Sequence, residues 1–593
     1  MANFKSFLTW CSLAPLGFSA NALAATLQVD AKPGAAEYHT IQAALDKAKA
    51  GDTIHVKAGV YQERVKFQTG GTEGQPVVLE GEPGTIIDGS NPVKLDWQPA
   101  PDLGPSVYRA AVDFLPFTVT ANGKLVTTLD EKRVDPALPH DERDNLRWPE
   151  IFRKGTGPSG WSGVVAVAMY LKKEKQLLIR FKGGVDPRTL SMTVGPREPC
   201  ITIDGQNYCV IRGITTRYAA TGISVENSIG TVVENSFIGP VDYGVYLGKG
   251  TDRCIVRFCE LTMAPYSGAD PWREEGWDNW QAHKNAGFYD RYALHISEGK
   301  GHDIHDNFIH DCWDGIETGF PGSVEENGSL MVHHNFIYQI FDDAIETSGG
   351  QSENQWYDNL IERARIAIRI KNPAKGPFYI YRNVFLENKS DMTVYSGKFL
   401  PPDVELWAYQ NTCTADVSIG TNYAQKSPPV TTKNYHFYNN IFWCLTTLRR
   451  EPAYPLPDWK SDGNVFIRAT PESPRMGDSR LAASAPADRL AKWEQGLAQN
   501  KQAGIDQLSA WIADGPTGFA DGAKGNLALV ENSPARGAGV DLSKVAGRAL
   551  PGLEPGYFKG ERPDAGALQF GSGMITLPRK TAMDSTNNSF TKQ

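Results

Sequence analysis

With 593 residues, the chain is long enough for several ordinary domains or for one repeat architecture that escapes the usual size limit. Its 41% apolar, 22% charged and 10% aromatic content excludes wholesale disorder, and a net charge of −8 with no long Lys/Arg block argues against a nucleic-acid partner. The 58 Gly and 38 Pro, without collagen periodicity, predict many turns and few long helices.

The chain opens with Lys5, an apolar run from Phe7 to Ala20, and Ala22-Leu23-Ala24. This pattern predicts a signal peptide over residues 1–24, export to a secreted or periplasmic location, and no membrane span after cleavage, the apolar run being short for a spanning helix. Of eight cysteines, Cys11 would leave with the signal. The remaining Cys200, Cys209, Cys254, Cys259, Cys312, Cys413 and Cys444 match no zinc spacing and read as buried thiols on strands.

From Thr40 to Leu45 a short amphipathic helix is expected to cap a core, followed by the strand-like Asp52-Thr53-Ile54-His55-Val56 and Val77-Val78-Leu79-Glu80-Gly81. Residues 25–98 therefore read as a cap and first coils, 99–199 as an inserted β-rich subdomain that breaks the rhythm, and 200–470 as a main repeat region. Within the last, a long loop over 262–288 carries Trp272, Trp277 and Trp280. A closing segment over 471–580, helical from Arg489 to Ile512, and a disordered tail over 581–593 complete the expectation.

The repeat is carried by Asn307, Asn335, Asn359, Asn383, Asn411 and Asn440, spaced by 28, 24, 24, 28 and 29 residues, with Asn235 extending the series backwards. A second register runs in step through Gly222-Ile223-Ser224, Gly244-Val245-Tyr246, Ala293-Leu294-His295, Gly315-Ile316-Glu317, Ala344-Ile345-Glu346, Ala367-Ile368-Arg369 and Thr393-Val394-Tyr395. Such units cannot bury their apolar residues alone, and stacking them does. The predicted fold is all-β: a right-handed parallel β-helix in which Asn occupies one turn, tolerating left-handed dihedrals and bonding to the Asn of the next coil.

The segments Ala50-Gly51-Asp52-Thr53-Ile54, Gly59-Val60-Tyr61 and Gly71-Thr72-Glu73-Gly74-Gln75-Pro76 resemble the opening of carbohydrate-active β-helix proteins, above all the chondroitinase B and alginate lyase group. Similarity to polygalacturonase-like hydrolases is weaker. The resemblance implies a polysaccharide-cleaving enzyme. It is specific for fold and weak for activity.

Aligning the second register makes a column of Ser224, Tyr246, His295, Glu317, Glu346, Arg369 and Tyr395. A row of small residues lies two positions earlier, read as room for a sugar ring, and Asp242, Arg291, Trp313, Asp342, Arg365 and Asp391 lie four positions earlier. The alternative is a solvated face whose charges pair along the stack. The concentration of carboxylates predicts raised pKa values or a bound cation.

Two chemistries compete. A uronate lyase would hold Ca²⁺ on Asp314, Glu317, Asp343 and Glu346 and use Arg369, Lys371 or His295 for catalysis, with Asp343 and Glu346 taking part. Arg365, Asp342, Tyr246, Tyr395 and Trp313 would contact an acidic polysaccharide. Ile345-Glu346-Thr347-Ser348 followed by Arg369 is similar to the lyase arrangement, but Gly349 and Gly350 stand where that family places its catalytic Lys. A hydrolase would use Asp314, Asp342 and Asp343 with Arg369-Ile370-Lys371, although the Gly-His-Gly strand of polygalacturonases is missing. Lyase action is the first expectation; hydrolase, uronan epimerase and a non-enzymatic carbohydrate-binding or adhesive β-helix are the alternatives. A monomer is expected. His302, His305, His310, His333 and His334 read as turn residues away from this site.

Overall fold

The computed structural model describes residues 24–129, 166–263, 291–319, 328–347, 352–371, 376–396, 404–422, 434–445, 448, 459–469, 486–554, 556–558, 560–575 and 577. The expected signal segment, the tryptophan loop and the expected tail from 581 lie outside this set apart from Ala24, Met263 and Thr262, the last of which ends the strand Glu260–Thr262.

Short β-branched strands separated by polar turns stack in parallel. One sheet of 13 strands runs from Thr26–Val29 to Lys460–Asp462 and is entirely parallel, and a second, composite set of 21 strands wraps the other sides. Each coil sets its apolar residues over those of the coil before: Ile304 pairs with Val332, and Val332 with Trp356. The result is a parallel β-helix with one continuous core from Val29 to Leu497. The helix Ile41–Leu45, capped by Thr40 Oγ1 accepting from the Ala43 amide at 3.2 Å, seals one end of that core with Ile41, Ala44 and Leu45.

The antiparallel strands Val107–Ala111, Ala166–Leu171 and Gln176–Phe181 form a side sheet with its own apolar core of Trp97, Val119, Ala168 and Ile179. This unit leaves the solenoid after Thr85–Asp88 and returns at Ile201, which pairs with Val65. At the far end the helix Pro486–Gln502 packs Trp493 and Leu497 onto the core. The helix stops earlier than expected, because Ala510–Ile512 joins the solenoid as a strand beside Val465–Ile467.

The asparagine ladder is continuous and one rung longer than the sequence pattern implied. Asn307, Asn335, Asn359, Asn383, Asn411 and Asn440 each donate Nδ2–H to Oδ1 of the next, ending on Asn464, at 3.0–3.1 Å. Each also donates to a backbone carbonyl of the coil on its other side, as Asn359 does to Val332 at 2.9 Å. Left-handed dihedrals belong to the residue before each ladder position: Asp306, His334, Asp358, Arg382, Gln410 and Asn439 have φ of 52–56°. Asn235, at φ 48°, occupies this preceding position, and Ser236 holds the ladder place with its Oγ accepting from the Ile214 amide. The extension of the ladder to Asn235 is thereby corrected by one residue. The two roles split because an amide bonding both neighbours must lie buried along the axis, whereas the left-handed residue projects outward.

All seven described cysteines are buried free thiols, and burial pushes Cys200 and Cys209 up to about 12.

Candidate active site

Four neighbouring strands position the charged residues: Tyr292–Ile296, Asp314–Thr318, Phe336–Thr347 and Leu360–Ile370. Strand alternation buries Ile316, Ile345 and Ile368 in the core and turns the residue after each to the outer face. Register then stacks Tyr246, His295, Glu317, Glu346, Arg369 and Thr393 in one column. Thr393 stands where Tyr395 was expected, because Asp391 rather than Thr393 follows Ala367 in the stack; the Tyr395 side chain lies outside the described set. Three residues back along the strands, Tyr292 sits beside Asp314, and the Asp343 amide donates to Asp314 Oδ1 at 3.0 Å.

The outer face here is closed to solvent. Glu317, Glu346 and Arg369 are 7%, 4% and 7% exposed, and Asp343 is 0%. Arg369 bridges the aspartate pair, with Nη1 2.8 Å from Asp343 Oδ2 and Nη2 3.3 Å from Asp342 Oδ1; Arg365 reaches Asp342 Oδ1 at 2.6 Å. Lys371 Nζ pairs with Glu346 Oε1, and His295 Nε2 lies 3.6 Å from Glu317 Oε2. Five carboxylates, Asp314, Glu317, Asp342, Asp343 and Glu346, thus meet three cationic groups, Arg365, Arg369 and Lys371. Fully ionised, the cluster would carry two excess negative charges.

Burial raises Asp343 to about 7, against the pull of Arg369 and with the support of Asp342. Asp343 Oδ2 and Glu346 Oε1 are held by the ion pairs to Arg369 and Lys371, and Asp343 Oδ1 accepts no hydrogen bond. Lys371 is held above its ordinary value: burial works against its charge, and Asp343, Asp314, Asp342 and Glu317 outweigh it. His295 is lowered by burial, with Glu317 opposing, so its imidazole is neutral near pH 7. Its ring is fixed between Tyr246 and Tyr292, at centroid distances of 5.5 and 5.0 Å.

Ligand oxygens of Asp314, Asp343 and Glu346 lie within 4.8 Å of one another. The oxygen-only set, in which the buried Asp343 Oδ1 accepts no hydrogen bond, fits a hard cation such as Ca²⁺ and lacks the imidazole and sulfur donors of softer-metal sites. Glu317, the fourth expected ligand, faces His295 from the adjoining rung.

Two expectations are corrected. Trp313 is 0% exposed and stacks on Phe341 at 5.8 Å inside the core, so it offers no face to a sugar. The small residues do not line an open trough. A Cβ on Gly244 would lie 2.1 Å from the Ala293 carbonyl oxygen and one on Gly315 2.4 Å from that of Ala344, while Ala293, Ala344 and Ala367 belong to the core. They are small because adjacent coils approach closely there. Trp272, Trp277, Trp280, Gly349 and Gly350 lie outside the described residues.

Tyr243 and Tyr292 escaped the sequence reading. Their signal was spacing, since Tyr243-Tyr246, Tyr292-His295, Asp314-Glu317 and Asp343-Glu346 are all pairs three residues apart.

A family model described as periplasmic copper-binding protein (NosD) matches residues 185–426. No curated protein matches the chain. Among solved structures, a complex of XylC with xylose is 16% identical, with 82% of each chain covered and a TM-score of 0.44. A mannuronic acid specific polysaccharide family 6 lyase from human gut microbiota is 11% identical, covering 81% of this chain and 94% of its own, at 0.35. A polygalacturonase from Erwinia carotovora ssp. carotovora is also 11% identical, covering 69% and 96%, at 0.32. At these values, function has to come from this chain's own residues.

Proposed function

We propose that this chain is an exported enzyme, secreted or periplasmic and monomeric, that cleaves a uronate-containing polysaccharide by β-elimination. The observation that carries the reading is the adjacency, on consecutive rungs, of a neutral, partly exposed His295, a carboxylate cluster with two excess charges, and Arg365, Arg369 and Lys371. The periplasmic designation of the matched family model and the leader-like N-terminus support export. No described helix is long and apolar enough to cross a membrane.

Asp314, Asp343 and Glu346 would hold a divalent cation, which when bound neutralises a uronate carboxylate and acidifies the carbon beside it. Arg365 and Arg369 bind and orient the sugar carboxylate. His295 Nε2, which accepts no hydrogen bond within the protein, takes the proton from that carbon. The β carbon–oxygen bond then breaks as the double bond forms, and the leaving oxygen takes a proton from the imidazolium or from water, giving an unsaturated sugar, a new hydroxyl end and His295 neutral again. Lys371, sequestered by Glu346 and held protonated, is a positioning charge, and the expected role of Arg369 or Lys371 as base passes to His295.

One observation favours hydrolysis as the second reading. Asp343, raised to about 7, suits a general acid, and the short separation from Asp314 and Glu346 resembles the roughly 5 Å of retaining glycosidases. Incubation with alginate, polygalacturonate and hyaluronan separates the two. Elimination predicts ultraviolet absorbance from unsaturated uronate, abolished by EDTA and by His295→Gln; saturated products with full activity in EDTA would reject it and promote the hydrolase.

A further inference from the structure

The outer face changes chemistry rung by rung along the helix axis. Tyr243 and Tyr246 share one strand, Tyr292 and His295 the next, then Asp314 and Glu317, then Asp343 and Glu346, then Arg369. Tyr243 and Tyr292 face each other at 6.1 Å with planes 37° apart, and Tyr246 meets His295 edge-on at 5.5 Å. On their two strands, Tyr243, Tyr246, Tyr292 and His295 are the partly exposed residues, while the whole acidic strand Asp314–Thr318 is buried. The face is therefore most open over the tyrosines.

This open stretch is also walled. Arg291 donates through Nη1 to Asp242 Oδ1 at 2.7 Å and through Nη2 to Thr128 Oγ1 at 2.8 Å, tying the strand ahead of the tyrosines to the inserted unit. The Arg291–Asp242 pair is nearly buried, at 13% and 2% side-chain exposure, and Thr118 Oγ1 of the same unit donates to the Tyr218 carbonyl at 2.9 Å.

We propose that Tyr243, Tyr246 and Tyr292 form an aromatic subsite for a neutral pyranose face, in a substrate chain lying along the helix axis with its cleaved uronate over the acidic and basic rungs. This rests on the polysaccharide-cleaving reading above. Aromatic rings match the apolar C–H face of a sugar and carry no charge to select a carboxylate. The arginine rung beyond the carboxylates supplies the opposite preference. The inserted unit borders the subsite through Arg291.

The test measures kcat and KM of the full chain on the polysaccharide that the wild type cleaves, and on its shortest cleaved oligosaccharide, for Tyr243→Ala, Tyr246→Ala, Tyr243→Phe and Tyr246→Phe. The expected result is a KM for polymer raised roughly tenfold in the Ala variants, the scale of one lost aromatic contact, with kcat nearly unchanged for Tyr243→Ala and lowered as well for Tyr246→Ala, whose ring packs on His295. The effect should be smaller on the short substrate, and the Phe variants should recover wild-type KM. Thermal melting guards against misfolding. Equal KM in wild type and Ala variants, or loss of kcat alone, overturns the subsite while leaving the cleavage reading intact. A wild type that neither cleaves nor binds any polymer of the panel overturns both.

Discussion

Asn359 donates Nδ2–H to Asn383 Oδ1 at 3.0 Å and accepts from both the amide and Nδ2 of Asn335 at 3.1 Å, so one buried side chain bonds coils on both sides. Replacing it strands those partners inside the core, where each unsatisfied polar group costs about 1–3 kcal/mol. Asn359→Ala should therefore lower stability by roughly 2–4 kcal/mol by those costs, seen as a lower midpoint in urea unfolding. Asn235→Ala, at the outward left-handed position, should cost much less.

That contrast marks how far the sequence could be read. Asn recurrence revealed the coil because only an uninterrupted stack needs the same amide at each turn. It could not reveal the phase, since Asn235 suits a left-handed turn and Asn335 a ladder for unrelated reasons. Glu317, Glu346 and Arg369 were legible as a column from strand alternation. Tyr395 was not placed correctly because the coil from Arg369 to its partner Thr393 is 24 residues long, two fewer than the alignment to Tyr395 assumed. Trp313, like the small residues, was misread because composition does not say whether a bend points a side chain inward.

Gly244 offers a direct check of that last point. An added Cβ would meet the Ala293 backbone oxygen, which cannot swing aside. Gly244→Ala should destabilise by about 1–3 kcal/mol, the usual cost of overpacking. If the small row were instead open space for sugar, the variant would melt like wild type and raise KM alone.

His310 is half-buried between Asp311, at 2.6 Å, and Glu260, at 3.1 Å. Burial alone would lower it, but the two carboxylates outweigh this and hold it at about 9. With an unfolded value near 6.5, the native state binds the extra proton between these limits, so its stabilisation is complete below about 6.5 and is lost as pH rises through 9. His310→Gln should flatten the fall in unfolding free energy between pH 7 and 10, a contribution on the order of 3 kcal/mol. An unchanged slope in pH-dependent denaturant melts would refute the assignment.

The acidic cluster makes the most discriminating prediction. Asp343, raised to about 7 by burial, favours the folded state in its protonated form, so its contribution is complete below the ordinary carboxylate value and declines as pH rises through 7. Above pH 7 without added metal, Asp343→Asn removes that penalty at nearly constant volume, and the variant should melt higher than wild type. Addition of Ca²⁺ should reverse the order, because wild type gains stability by binding while the variant loses a ligand. Activity should move oppositely to metal-free stability, falling on the order of 10²–10⁴-fold, the range for loss of a positioned catalytic group. A variant less stable than wild type at pH 8 in chelator would mean that Arg369 more than offsets the burial of Asp343. The 2.8 Å contact would then be the reason for the aspartate, and the cation site would lose its physical basis.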